Sequence, residues 1–433
     1  MVQPSFELKE QNFSGVSHFY RDNVARTYVV EVVLTTPVNG GMLQEAVDKA
    51  LVRMPYFTDA LVEKEGDFYY AVNPLPFEIA EGGLRAAGGP ETNWHCVDVT
   101  YEGNTISFSM YHGFCDGLGL NLFIEATLYH YMCLKDGVEY PNDGLRIVGA
   151  PQLEGEELDA FSRSYPMKGD NQGVFASGAF FHLPEIDEAP LDEMRGVNLR
   201  VGEAEFMEFT RACKSSPAAM LTAIMGEAIV SVHPEAAESL GALVPLSNRR
   251  FLDAPNTFKN CFGAVRIPYR PGDMEGLDFA GRAAYTRGVL KEELSSEIPL
   301  FTANAMGGAV RKVDAVMHSY AEKKQALNFV KHANNDTFMV DYVGGLRAQG
   351  FEDQIVSTRY KASMFDPGFR TVILYLTATA GYFDIEVVRA FASDVYVGAF
   401  AEQLERCGIA FTRGGEESYT TPVNGLITGL GLA

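Results

Sequence analysis

Apolar and polar positions divide this chain into alternating strands and helices. Tyr28-Val29-Val30-Glu31-Val32-Val33-Leu34 reads as a strand, and Gly41 to Leu51 repeats its apolar residues at helical spacing, so the first unit is strand then helix. Pro55 closes that helix. Leu61 to Lys64 and Phe68 to Val72, parted by Glu65-Gly66-Asp67, read as a hairpin whose strands are expected in one sheet. His95 to Val99 and Thr105 to Met110 form a second strand pair around Glu102-Gly103-Asn104. The second of these strands runs directly into Tyr111-His112-Gly113-Phe114-Cys115-Asp116-Gly117 and a helix from Leu118 to Leu134, with Leu122, Phe123, Ala126, Tyr129 and Met132 on one face.

Between Pro141 and about Ser177 the periodicity fades among Gly, Pro, Asp, Asn and Ser, and the domain connection is placed there. The expected domains are residues 1–175 and 176–433. Helices follow at Glu205 to Ala212 and Ala218 to Val232, with Ser216 as cap and Pro217 in the first turn. A strand at Leu240 to Leu246 comes next, then helices at Asp278 to Leu294 and Gly308 to Lys324. Strands at Thr337 to Val343, Thr371 to Ala378 and Tyr382 to Val388 and a helix from Ser393 to Cys407 complete a mixed α/β pattern. The tail from Thr412 to Ala433 has no reading of its own.

Length and composition agree with two folded domains: 433 residues, 47% hydrophobic, with 29 Phe and 20 Tyr. A net charge of -22 argues against nucleic acid and anionic membranes as partners, and a polyanionic donor would need a local cationic patch. The six cysteines (Cys96, Cys115, Cys133, Cys213, Cys261, Cys407) lie far apart, without the spacing of a zinc site or a disulfide scaffold, and read as reduced thiols. No secretory signal or membrane span is seen, so a cytoplasmic location is expected and the Asn12-Phe13-Ser14 acceptor pattern carries no weight. His318 and His332 have no ligand partners at metal spacing, and no metal is expected.

The candidate chemistry sits at the junction of strand and helix. A histidine there, with an ordinary pKa of about 6.5, can take a proton from a hydroxyl or amine and return it later. Asp116 either caps the helix or locks the turn through a buried ion pair, while Gly113, Gly117 and Gly119 permit a crowded path. Cys115 faces away from His112 if the strand pitch persists, and reads as a buried thiol. On its own the pattern H-x-x-x-D-G also fits a structural histidine.

The order of further segments points beyond that. Phe108 to Phe123, FSMYHGFCDGLGLNLF, resembles the signature of the chloramphenicol acetyltransferase and condensation-domain superfamily. So do Ala50-Leu51-Val52-Arg53-Met54-Pro55, Val244-Pro245-Leu246-Ser247-Asn248-Arg249-Arg250 with Lys259-Asn260-Cys261-Phe262-Gly263, and Phe338-Met339-Val340-Asp341-Tyr342-Val343-Gly344-Gly345. The last is similar to the D-F-G-W-G stretch of plant BAHD acyltransferases. The resemblance covers about residues 25 to 407.

It implies two similar domains, each a mixed sheet with flanking helices, and an active-site tunnel at their interface. It implies that His112 deprotonates an alcohol or amine acceptor for attack on a thioester, carried by coenzyme A or an acyl carrier protein, with no permanently bound cofactor and no covalent intermediate. Asp116, Gly117, Arg249 and Asp341 are implied to be structural, with Arg249 pairing Asp341. Phe57-Thr58 stand where relatives have Leu-Arg, so Arg53 or another arginine is expected to pair with Asp116. Asn260 and the amides near Gly117 are the candidate oxyanion donors. A non-catalytic binding relative and a thioester or ester hydrolase are the alternatives.

Overall fold

The computed structural model describes residues 6–9, 26–64, 67–167, 180–238, 240–295, 297–317, 319, 322–323, 325–326, 336–364, 371–425 and 427–428. The Asn12-Phe13-Ser14 pattern, residues 168–173 of the expected connection, His318 and His332 lie outside them.

The first half contains β1 (Glu7–Leu8), β2 (Tyr28–Leu34), α1 (Gly40–Arg53), β3 (Ala60–Lys64), β4 (Asp67–Val72), β5 (Ala80–Glu81), β6 (Val97–Glu102), β7 (Thr105–Met110) and α2 (Gly117–Asp136). Asn39 starts α1 by accepting a hydrogen bond from Met42 N at 3.0 Å. Leu43, Ala46, Val47 and Ala50 then fall on one buried face of the helix. They pack with Val30 and Val32 of β2 and with Ile106 and Phe108 of β7.

The second half contains α3 (Glu185–Glu188), β8 (Pro190–Gly202), α4 (Glu203–Ala212), α5 (Pro217–Val232), β9 (Leu240–Ser247), β10 (Phe262–Tyr269), α6 (Phe279–Ser295), α7 (Ile298–Val316) and β11 (Phe338–Gly345). It continues with β12 (Ile355–Ala362), β13 (Val372–Thr379), β14 (Tyr382–Phe391), α8 (Val395–Arg406), β15 (Phe411–Tyr419) and β16 (Ile427–Thr428). Ser216 occupies the position before α5 but makes no capping bond with its side chain, so Pro217 alone marks that start. The helix expected from Gly308 begins ten residues earlier, at Ile298, because Pro299 fits its first turn.

Three sheets result. One has the order β12-β2-β7-β6-β5, a second β10-β9-β11-β13-β14-β8-β15, and a small third β1-β4-β3-β16 holds the expected hairpin. In the seven-stranded sheet β11 runs parallel to both β9 and β13, while its other pairings are antiparallel.

Two features tie the halves together. β12 leaves the second half to pair antiparallel with β2, and the tail returns to the first half, where β16 pairs with β3. Gly425 crosses close to Gly88 and Gly89, and a Cβ on it would lie 2.3 Å from Gly89 Cα. The seven-stranded sheet also shows two faces: Val340, Leu374 and Val387 pack with α5 and α8, whereas Met339, Ile373, Tyr375 and Val388 join the core of the first half. The seam so formed contains the candidate site.

Candidate active site

β7 ends at Met110, and the next six residues turn the chain into α2. The turn is held from inside and from the second half. Tyr70 Oη donates to Gly113 O at 2.9 Å, and Cys115 forms a backbone bridge to Lys259. Gly119 is obligatory, since a Cβ there would lie 1.9 Å from Phe258 O. Gly117 has room, its nearest neighbours to an added Cβ being Val343 at 3.5 Å and Tyr360 at 3.6 Å.

Asp116 both caps the helix and forms a buried ion pair. Its Oδ1 accepts from Gly119 N at 2.8 Å and its Oδ2 from Cys261 N at 2.9 Å. Arg249 reaches both oxygens, with Nη1 to Oδ2 and Nη2 to Oδ1 at 2.8 Å each. The remaining Arg249 donors go to Thr257 O at 3.0 Å, Ser247 Oγ at 3.1 Å and Lys259 O at 3.1 Å. Burial works against the guanidinium charge, but Asp116 more than offsets it and holds the Arg249 pKa above its ordinary value.

One expected pairing is therefore corrected, and the other arginine expected for Asp116 is Arg249. Arg249 pairs with Asp116 and has no donor left for Asp341. Arg53, the other candidate, pairs with Glu156, by Nη1 at 3.0 Å and Nη2 at 2.5 Å. Tyr56 Oη adds a bond to Glu156 at 2.9 Å, and Arg146 lies 3.6 Å away. Although burial opposes it, this set of partners holds the Glu156 carboxyl down to about 2. Glu156 O also accepts from Phe258 N at 2.9 Å, so the cluster braces the loop segment that crowds Gly119.

His112 is half-buried at the mouth of the turn. The ring bonds its own main-chain carbonyl, and Nδ1 also lies 3.1 Å from Asn260 Nδ2, so that edge of the imidazole is the anchored one. Burial lowers the imidazole pKa below its ordinary value, with the carbonyl bond and Asp116 acting in the other direction. A base that is neutral at pH 7 follows.

Asn260 is fully buried and fixed in both senses. Its Oδ1 accepts from Phe262 N at 2.9 Å, and its Nδ2 donates to His112 O at 2.7 Å while lying 3.1 Å from Nδ1. The amide expected as an oxyanion donor is thus spent on holding His112. At the start of α2, Gly119 N is taken by Asp116, leaving the first-turn amides of Gly117 and Leu118 without intrahelical acceptors.

Cys115 is buried with its Sγ 3.3 Å from Met110 Sδ, and burial pushes its thiol well up, as expected of an inert thiol. Among the described residues no group of His, Cys, Asp or Glu is arranged to hold a metal.

The walls around His112 come from aromatic residues that sequence did not single out. Tyr28 meets the imidazole edge to face with centroids 5.2 Å apart, and Phe262 does so at 6.3 Å. Tyr360 lies 5.9 Å from Tyr28 and stacks on Tyr375 at 6.4 Å. Asp341 joins this group from β11. Tyr28 opens the first predicted strand, but nothing local links it to Tyr360, because only the β12 crossover makes them neighbours.

Solved structures share this arrangement of elements. Polyketide synthase associated protein 5 from Mycobacterium tuberculosis superposes with a TM-score of 0.61 over 92% of this chain and 98% of its own, at 13% identity. The chain has the fold of the chloramphenicol acetyltransferase-like acyltransferase and condensation-domain superfamily. The trichothecene 15-O-acetyltransferase TRI3 from Fusarium sporotrichioides gives 0.59 at 10% identity, covering 94% and 98% of the two chains. TRI101 from F. graminearum, complexed with coenzyme A and T-2 mycotoxin, gives 0.56 at 10% identity, covering 95% and 100%. No family model and no curated protein sequence matches the chain. At these identities the likeness establishes the fold, and a shared fold does not fix a reaction. No single helix among the described residues is long and apolar enough to cross a membrane.

Proposed function

We propose that this protein is an acyltransferase that moves an acyl group from a thioester to an alcohol or amine, with His112 as general base. The observation that carries the reading is the placement of the His112 imidazole at the seam between the two halves, its main-chain carbonyl held by Asn260 and its ring set against Tyr28 and Phe262. Nε2 takes the proton of the acceptor as its oxygen or nitrogen attacks the thioester carbonyl. The tetrahedral intermediate collapses with cleavage of the C–S bond, and the departing thiolate recovers the proton from the imidazolium.

Amides at the start of α2 are the best-placed donors for the transient oxyanion, because the helix dipole favours negative charge there. Asp116, Gly117, Arg249 and Asn260 keep the base in place in this reading. The donor is a thioester of coenzyme A or of an acyl carrier protein, consistent with the coenzyme A in the TRI101 complex. Both substrates meet in a tunnel between domains 1–175 and 176–433. The cysteines are free, which suits a cytoplasmic protein.

The test is thioester turnover by purified protein across acyl-coenzyme A and acyl-carrier donors with mixed alcohols and amines, followed as thiol release. His112→Ala is expected to lower acceptor-dependent release by about 10³-fold or more while the thermal unfolding midpoint stays put. Release without acceptor would make the protein a hydrolase. Saturable donor binding, equal in both proteins and without release, would make it a non-catalytic relative.

A further inference from the structure

Asp341 differs from the buried carboxylates around it, being enclosed by protein yet only half-buried. Asp116 holds Arg249, Glu156 holds Arg53, Asp98 holds Arg85, and Asp336 holds Arg266. Asp341 has no ion pair or hydrogen bond among the described residues. Burial, with no compensating charge, pushes its carboxyl up to about 7. An enclosed carboxylate without a counter-ion is costly, and one that keeps part of its surface accessible can take that counter-ion from a ligand.

Its direction follows from the sheet. Phe338 and Val340 pack into the core of the second half, whereas Met339 faces the seam. Asp341 shares the parity of Met339, and its register partner Tyr375 shares that of Ile373 on the same side. Two residues further along β11, Val343 reaches within 3.5 Å of the Cβ position of Gly117, the first residue of α2. Asp341 thus faces the seam that contains His112.

Phenols line this part of the seam. Tyr28, Tyr360 and Tyr375 all feel the Asp341 charge, which adds to burial in raising their pKa values. The Tyr360 hydroxyl donates to Asn121 Oδ1 at 3.0 Å, while Tyr375 Oη forms no well-shaped hydrogen bond. β11 ends at Gly345 in a cleft of about 480 Å³ whose charged lining residues are Glu203, Glu352 and Asp353. Carboxylates in this cleft at the end of β11, on a chain of charge -22, favour the approach of cations to that surface.

We propose that Asp341 determines acceptor specificity and that the acceptor is cationic, an amino alcohol or polyamine whose ammonium docks on Asp341 while a hydroxyl or second, neutral amine is presented to His112. The inference rests on the acyl-transfer reading of His112. The ammonium takes no part in the chemistry: the attacking group loses its proton to Nε2, the C–S bond breaks, and the thiolate regains the proton.

The experiment compares kcat/KM for linear amino alcohols and for diols of the same length, using the best donor found, in wild type and Asp341→Asn. Wild type is expected to prefer the amino alcohol by roughly 30-fold or more, the range of a desolvated charge pair, and the variant to lose that preference with the diol rate nearly unchanged. Equal rates for the two acceptors in wild type, or an equal loss of both in the variant, would overturn the proposal. Should no donor support transfer, calorimetric binding of 1,6-diaminohexane decides. Binding lost in Asp341→Asn but kept in His112→Ala upholds the cation site while the acyl-transfer reading fails, and binding that is absent or equal in all three proteins removes the site. Circular dichroism melts of the isosteric variant confirm that it folds.

Discussion

Replacing Arg249 by alanine removes the cation that two carboxylate oxygens and three neutral acceptors share. The Asp116 carboxylate would keep only the Gly119 and Cys261 amides, at 2.8 and 2.9 Å. Breaking a buried pair from one side costs about 3 to 5 kcal/mol, because a charge is left without its counter-ion. The carbonyls of Thr257 and Lys259 also lose a donor, though water entering the space left by the side chain compensates in part. The expected loss is therefore about 3 to 5 kcal/mol, a large share of a total stability of about 5 to 15 kcal/mol. Arg249→Met with Asp116→Asn removes both charges and leaves an amide oxygen to cap α2, so the double variant is expected to be more stable than the sum of the single losses predicts by about 2 kcal/mol or more. Urea unfolding followed by far-ultraviolet circular dichroism measures all four corners of the cycle. Losses that add within about 0.5 kcal/mol would refute the coupling. A loss under about 1 kcal/mol in Arg249→Ala, together with a turnover defect as deep as that of His112→Ala, would place Arg249 in the chemistry instead.

Two other outcomes follow. Because burial lowers the His112 pKa and the neutral imidazole is the active form, kcat/KM for an uncharged acceptor is expected to rise with pH through a midpoint below about 6.5 and stay level through pH 8; a midpoint at 7 or above would contradict the assignment. Gly119→Ala forces a Cβ to 1.9 Å from a main-chain oxygen and is expected to cost about 3 kcal/mol or to prevent soluble expression, whereas Gly117→Ala, with neighbours no nearer than 3.5 Å, is expected to change stability by under about 1 kcal/mol; comparable unfolding curves for the two would show that the turn is not held as described.

Sequence was most informative where an element packs one face against an apolar core. β2 and β7, α1, α2, α5 and α8 follow the predicted ranges within a few residues, since their apolar spacing is what burial requires. His112 and Asp116 were legible because a short motif places them between a strand and a helix. The strands β8, β12 and β15 were not. β8 buries Val197, Leu199 and Val201 at alternate positions within an otherwise polar run, and on β12 the face opposite Tyr360 and Ala362 carries Arg359 and Lys361, which meet Glu31 and Glu417. The polar composition of Phe411–Tyr419 likewise hid a strand that pairs along β8.

By itself the sequence determined the mixed α/β class, the strand-to-helix turn with its histidine, and a composition poor in attraction for polyanions. Local spacing is enough for these, because helices and strands repeat with fixed periods. The tertiary structure decided who meets whom: Asp116 with Arg249 across 133 positions, Asn260 with His112 across 148, and Tyr28 beside Tyr360 through the β12 crossover. It also showed that Asp341 has no counter-ion among the described residues. Such contacts depend on register and crossover between elements distant in the chain, and no period in the sequence records them.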